Sequence, residues 1–237
     1  SGKTTLMNMI AGIYRPDEGQ IFINGQEVAI HSPKDAYKYK IGMVHQHYKL
    51  VNVFTAAENI ILGQEGKQIL DMSTVKAEIN KICDSYGFKL NLDQKIYDMS
   101  VSEKQTVEII KVLYKGVDIL ILDEPTAVLT PQETKSLFDV LRNMRAAGKS
   151  VIIITHKLNE VMEISDRVSV LRKGVYIDTV KTSETSIQAL TEMMVGQKID
   201  LDIERSMPVN SRDILKIEGL TCYNKEGLKA LDNVTFT

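Results

Sequence analysis

Ile119-Leu120-Ile121-Leu122-Asp123-Glu124-Pro125-Thr126 decides the fold. The aliphatic run from Val117 to Leu122, broken only by Asp118, has the length and composition of a strand covered on both faces, the situation of a central strand in a parallel sheet. Two carboxylates then stand at its carboxyl end, where open parallel sheets gather their ligands. Downstream, Thr130-Pro131-Gln132-Glu133 opens a helix: Thr130 can cap, Pro131 suits the first turn and Glu133 completes a capping box. Leu137, Val140, Leu141 and Met144 line the buried stripe of that helix, Gly148 ends it, and Val151–Ile154 is another apolar strand. Strand, helix, strand in this order predicts an α/β fold built on a parallel sheet.

The same reading extends outward. Lys3–Ile13 carries Leu6, Met9 and Ile10 at helical spacing and must stop before Pro16. Met7 and Met9 read as core residues of that helix. Gly19–Ile30 predicts a hairpin turning at Asn24-Gly25, and Ile41–Val44 a short buried strand. Val75, Ile79, Ile82, Cys83 and Tyr86 form a helical stripe that opens near Ser73 and closes at Gly87. Val168–Leu171 and Val175–Ile177 predict a second hairpin around Lys173-Gly174. Ile187, Leu190 and Met194 belong to a helix ended by Gly196. Residues 198–213 are polar, contain Pro208 and read as a linker. Residues 214–237 resume strand-like alternation but are too short to fold alone.

Composition bounds the function. The 237 residues are 43% hydrophobic and 25% charged, with a net charge of −2, which gives no broad basic face for nucleic acid. No apolar run approaches the ~20 residues of a membrane helix, so a role at a membrane would come through a partner. Cys83 and Cys222 lack metal-ligand spacing and read as reduced thiols. His45 and His47 lack a third ligand and read as surface or packing histidines. Ser1 reads as other than a natural start.

Two motifs carry chemistry. Ser1-Gly2-Lys3-Thr4-Thr5, followed at once by a helix, is the tail of a G-x-x-x-x-G-K-[ST] phosphate loop. There, glycine lets backbone N–H groups approach phosphates, the Lys3 ammonium reaches the β and γ phosphates, and the Thr4 hydroxyl can bind Mg²⁺. The second motif is the acidic pair. Asp123 is placed to hold Mg²⁺, and Glu124 to polarise an attacking water. Together the two predict a site for a nucleoside triphosphate.

With these motifs in place, nearly the whole chain resembles the ABC transporter ATPases. Gln46, after the strand Ile41–Val44, corresponds to the family's Q-loop glutamine. Met99-Ser100-Val101-Ser102-Glu103-Lys104-Gln105 lies where the family signature L-S-G-G-Q belongs, and His156 follows Val151–Ile154 as the family's switch histidine does. The resemblance implies a P-loop NTPase-type sheet with flanking helices, an antiparallel β subdomain and a helical signature subdomain. It implies ATP and Mg²⁺ as ligands. Ser1, Gly2, Lys3, Thr4 and Thr5 would hold the nucleotide, with Ser100, Ser102 and Glu103 contacting the γ-phosphate held by an opposite domain. Thr4, Gln46 and Asp123 would surround Mg²⁺, and Glu124, His156 and Gln46 would serve hydrolysis. Two departures stand out. Val101, Ser102 and Glu103 replace Gly-Gly-Gln, and a carboxylate there repels phosphate unless it turns back into the helix cap. Thr130 replaces the aspartate of the family's S-A-L-D run, where a capping role suits it.

Val44-His45-Gln46-His47-Tyr48, Thr55-Ala56-Ala57-Glu58-Asn59-Ile60 and Ser102–Ile109 are similar to the simple-sugar and nucleoside importer branch, closer to nucleoside than to ribose importers. That branch carries two fused nucleotide-binding domains. The resemblance therefore implies a first domain over 1–197, a linker over 198–213 and the opening strands of a second domain over 214–237. Tyr223 or Lys225 would stand at the second domain's purine-stacking position. Implied partners are integral membrane permease subunits, indirectly an extracytoplasmic solute-binding protein, and a second nucleotide-binding domain, with no nucleic acid. The implied location is the cytoplasmic face of the plasma membrane. The rival reading is a soluble ABC ATPase acting on ribosomes or DNA.

Overall fold

The computed structural model describes residues 2–46, 49–63, 71–197, 213–223 and 229–237, and the chain divides into two units, Ser1–Ile199 and Asp200–Thr237. The first unit begins with helix α1 (Lys3–Ile10), strands β1 (Ile21–Ile23) and β2 (Gln26–Val28), helix α2 (Pro33–Lys38) and strand β3 (Ile41–Val44). Helices α3 (Ala56–Ile61), α4 (Met72–Tyr86) and α5 (Val101–Tyr114) lead to strand β4 (Ile119–Asp123). Helix α6 (Pro131–Ala146), strand β5 (Ser150–Ile154), helix α7 (Leu158–Ile164), strands β6 (Arg167–Arg172) and β7 (Val175–Lys181) and helix α8 (Ile187–Val195) complete it. The second unit contains the antiparallel pair β8 (Ile217–Tyr223) and β9 (Lys229–Phe236). Among the described residues, no helix is long and apolar enough to cross a membrane.

Strands β3, β4 and β5 form a parallel sheet with β4 in the middle, Ile121 lying between Met43 and Ile152. Alternation along β4 splits the interior into two cores. Leu120 and Leu122 enter a cluster with Ile60, Val107, Ile110, Phe138 and Met144, drawn from α3, α5 and α6. Ile121 enters a cluster with Ile41 and Met43, against which Met7 and Ile10 of α1 pack. Leu120, Ile121 and Leu122 are fully buried, as the run of aliphatics requires. β5 is as aliphatic, yet Val151, Ile152 and Ile153 are half-buried and only Ile154 is buried.

Both hairpins turn where the sequence predicts. Asn24 and Gly25 have φ of 51° and 78°, and Lys173 and Gly174 have 51° and 83°, the paired positive φ that suits a two-residue turn to strand twist. The capping boxes also form: Ser100 with Glu103 on α5 and Thr130 with Glu133 on α6. α4 opens at Met72, beside the expected Ser73, capped by Asp71, which accepts from the Ser73 N–H. Two boundaries differ from expectation. β7 runs on to Lys181, past Ile177. α1 ends at Ile10, not Ile13. Gly12, at φ 74°, lets the Ile13 N–H reach the Asn8 carbonyl at 2.8 Å while its own N–H reaches Met9 at 3.1 Å, a Schellman closure that ends the helix.

Gly12 is required twice over, because a Cβ there would lie 2.3 Å from the Ser32 carbonyl oxygen, just ahead of α2. At Gly148, φ is 82° but nothing lies within 4 Å of an added Cβ. Gly148→Ala is therefore expected to cost only left-handed strain, about 1–2 kcal/mol. Gly12→Ala adds a backbone clash and is expected to cost more than about 2 kcal/mol. Urea unfolding of the two variants checks this, and equal losses would remove the steric contact with Ser32 from the explanation.

Candidate functional site

The site is built on the end of β4. Asp123 is the last residue of the strand, in register with Ile119 and Ile121, on the face that α1 covers. It is 7% exposed, and among the described residues its carboxylate accepts no hydrogen bond and makes no ion pair. Its oxygens are not sealed off from solvent, so they are open to a cation at the strand end. Glu124 leaves the strand with φ 48°, a left-handed conformation uncommon outside glycine. Its N–H still bonds to the Ile154 carbonyl of β5 at 2.9 Å, and its Oε1 lies 3.0 Å from Nδ1 of His156. The carboxylate can only accept, so Nδ1 is the ring nitrogen that donates.

The turn after Glu124 is tied down from two sides. The Gln105 side-chain amide, from α5, donates to the Pro125 carbonyl at 2.7 Å. The Lys157 ammonium donates to the Thr126 carbonyl at 2.7 Å, and the Thr126 hydroxyl donates to Glu160 at 2.6 Å. Lys157 and Glu160 are themselves paired at 3.1 Å. A cavity of ≈ 120 Å³ opens at this strand end, lined in part by His45, Gln46, Gln105, Asp123, Glu124 and Val128. Burial, reinforced by Lys49, pushes the His45 imidazole below its ordinary range, against the pull of Glu108 and Asp123. His45 also lines a second cavity of ≈ 240 Å³ together with Tyr37, Lys49, Glu108, Lys111 and Lys115.

α1 presents a helix N-terminus with no competing acceptor. Gly2 takes the N-cap position at φ 82°, no side chain caps the helix, and its first turn holds no acid. Its first N–H groups and the positive end of its dipole are left for an anion. Among the described residues the Lys3 ammonium has no hydrogen-bond or ion-pair partner, and Thr4 and Thr5 are exposed. Ser1 lies outside the described residues.

The signature helix behaves differently. Glu103 curls back so that Oε2 accepts the Ser100 N–H at 2.8 Å, while Ser100 Oγ accepts the Glu103 N–H at 3.2 Å. The carboxylate is thus taken up by the cap. Ser102 is half-buried, its carbonyl accepting from Thr106 Oγ1 at 3.0 Å. Ser100, Ser102 and Glu103 do not line the cavity that holds Asp123 and Glu124. Thr130 caps α6 and takes no part in that cavity.

Of the residues predicted for the site, Gln46, Asp123 and Glu124 share one cavity, His156 joins through Glu124, and Gly2–Thr5 open the helix on Asp123's face. Gln105, Lys157 and Glu160 were missed. Gln105 sits inside the signature run, but nothing in the sequence says that its amide is buried. Among the described residues no cluster of three or more metal-ligating side chains occurs, and His47 lies outside them. Tyr223 ends β8 and is exposed, while Lys225 and residues 198–212 lie outside the described residues.

Comparison with known proteins agrees with this geometry. An ABC transporter family model matches residues 1–127, more than half of the 237-residue chain. The chain is 44% identical over 229 residues to the nucleoside import ATP-binding protein NupA of Lactococcus lactis subsp. cremoris, covering 96% of the chain and 45% of that protein. It is 44% identical over 239 residues to the guanosine import ATP-binding protein NupO of Bacillus subtilis, covering 100% of the chain and 47% of that protein. The chain thus spans about half the length of the curated relatives it matches. A solved ATP-binding cassette of an ABC transporter, in its ADP conformation, superposes with a TM-score of 0.68 at 22% identity, covering 81% of this chain and 78% of that one. That likeness speaks to the fold, and the family match and the two relatives speak to descent. The chain belongs to the ABC transporter family.

Proposed function

We propose that the chain is an ATP-binding and hydrolysing unit of an ABC importer, driving uptake of a nucleoside or simple sugar through membrane partners. The observation that carries this reading is the Glu124–His156 pair at the end of the central strand, beside the unpartnered carboxylate of the largely buried Asp123. The likeness to two import ATP-binding proteins favours import over the rival role on ribosomes or DNA.

In this reading the triphosphate lies along the N-terminus of α1. The free N–H groups and the Lys3 ammonium neutralise the β and γ phosphates, and Thr5 extends the same turn. Asp123, the Thr4 hydroxyl and the Gln46 amide oxygen form a hard-oxygen donor set of the kind Mg²⁺ takes. When bound, the ion offsets charge on the phosphate oxygens as the terminal bond breaks. Glu124 accepts a proton from the attacking water. His156 holds that carboxylate through Nδ1 and turns Nε2 toward the γ-phosphate. As a neutral ring paired in this way it offers a lone pair there, and as imidazolium it donates. Ser100, Ser102 and Glu103 at the start of α5 meet the nucleotide of a second nucleotide-binding domain, so two domains close on two ATP molecules. With Glu103 drawn into its cap, the Ser100 and Ser102 groups carry that contact. Residues 1–197 form the first such domain, 198–213 a linker and 214–237 the beginning of a second. The assembly sits at the cytoplasmic face of the plasma membrane, with permease subunits and, through them, a solute-binding protein.

In the full-length protein, Glu124→Gln is expected to retain ATP binding while lowering turnover by about 10²–10⁴-fold, the scale of losing a general base. Steady-state phosphate release alongside equilibrium nucleotide binding checks this, and near-parental turnover removes Glu124 from the role. Lys3→Ala acts one step earlier. It is expected to weaken nucleotide binding at least about tenfold, as loss of a charge-assisted contact does. Calorimetric titration reads it, and an unchanged affinity contradicts the phosphate-loop assignment.

A further inference from the structure

We infer that Gln105 is a positioning residue for hydrolysis, linking the first turn of α5 to the backbone that aims Glu124. The inference rests on the ATPase reading above. Gln105 is 5% exposed and its Nε2 donates to the Pro125 carbonyl at 2.7 Å. A carbonyl only accepts, so the amide orientation is fixed: nitrogen toward Pro125, oxygen away from it. That oxygen, Oε1, is buried and has no donor among the described residues. Gln105 lines the cavity with Gln46, Asp123 and Glu124. A buried amide with one half engaged and the other unpaired is costly as packing alone.

The bonded partner explains where the amide acts. Pro125 follows Glu124, whose backbone stands at φ 48°. Three bonds impose that conformation: Glu124 N–H to Ile154 O at 2.9 Å, Ala127 N–H to Glu124 O at 3.2 Å, and Gln105 to Pro125 O at 2.7 Å. The first comes from the neighbouring strand β5 and the second from the turn itself, and the third is the one supplied by a helix. Gln105 lies two residues beyond Glu103 and about one and a half turns along α5 from Ser100, the pair that closes the helix cap. A shift of the first turn of α5 therefore pulls on the Pro125 carbonyl and tilts the Glu124 carboxylate. Contact at the helix start is converted into alignment of the general base on the same chain.

The test uses the full-length protein. Gln105→Leu keeps the side chain's volume and removes both donor and acceptor. Equilibrium ATP binding and KM are expected to stay within about twofold of the parent while kcat falls about tenfold, the scale of one lost hydrogen bond. Gln105→Glu is the complementary variant. As a carboxylate it cannot donate to Pro125, and as a carboxylic acid it can. Its kcat relative to the parent at each pH is expected to climb as the medium moves from about pH 8 to about pH 6, burial raising the range in which the acid form persists. Parental kcat in Gln105→Leu per mole of nucleotide-binding protein overturns the inference, since packing alone then accounts for the residue. A flat ratio across pH in a slowed Gln105→Glu protein overturns it too, and decides the matter if Gln105→Leu does not fold. A parent protein that binds no ATP would be recognised separately, as failure of the underlying reading.

Discussion

The backbone of Glu124, at φ 48°, is the constraint from which the rest of the site follows. β4 arrives from a core in which Leu120, Ile121 and Leu122 are fully buried, so the strand end is as fixed as anything in the molecule. The chain then has to turn without a glycine. A left-handed glutamate costs on the order of 1–2 kcal/mol and persists only where its surroundings determine it. Here they do: β5 holds its N–H, α5 holds the following carbonyl through Gln105, and Lys157 and Glu160 hold Thr126 one residue further on. The turn throws the Glu124 carboxylate off the strand toward His156 while Asp123 stays in register with Ile121. Two adjacent acids thereby point differently, and in the proposed function one serves a cation and the other a water.

The same economy of charge appears at both helix N-termini. α1 has no side-chain cap and no acid in its first turn, so its N–H groups are open to an anion, which the proposed function takes to be phosphate. α5 has a complete capping box, with Glu103 bound to the Ser100 N–H. A negative residue in the signature run would oppose a phosphate if it pointed outward. Folded back, it satisfies one of its own helix's orphan donors and complements the dipole. The sequence departure at Glu103 is compatible with anion contact at this helix for that reason, with fewer free N–H groups than an uncapped start would offer.

Much of this was legible from the chain. The strand ending in Asp123-Glu124, both hairpin turns and both capping boxes follow from local rules that the packing does not override. Helices α2, α3 and α7 were not read because each is six or seven residues long, too short for a periodic stripe. Ser32-Pro33 and Thr55–Glu58 were cap signals that could have revealed the first two, but α7 has no side-chain cap and no such signal. The early end of α1 was signalled by Gly12, whose left-handed backbone closes the helix, but the apolar Ile13 beyond it continued the helical pattern. Gln105, Lys157 and Glu160 escaped because their contacts are tertiary. A glutamine on a helix or an i,i+3 ion pair is ordinary surface chemistry until the fold brings a backbone turn against it.

Everything proposed for the site requires Lys3 and the Asp123–Glu124 pair to serve one triphosphate. A structure of the full-length Glu124→Gln protein with ATP and Mg²⁺ tests that most directly. The expected result is a triphosphate along the start of α1, with the Lys3 ammonium on the β and γ phosphates, Asp123 beside the ion and the side chain at 124 facing the terminal phosphate. A nucleotide bound elsewhere, or one reached by Lys3 but not by residues 123 and 124, contradicts it.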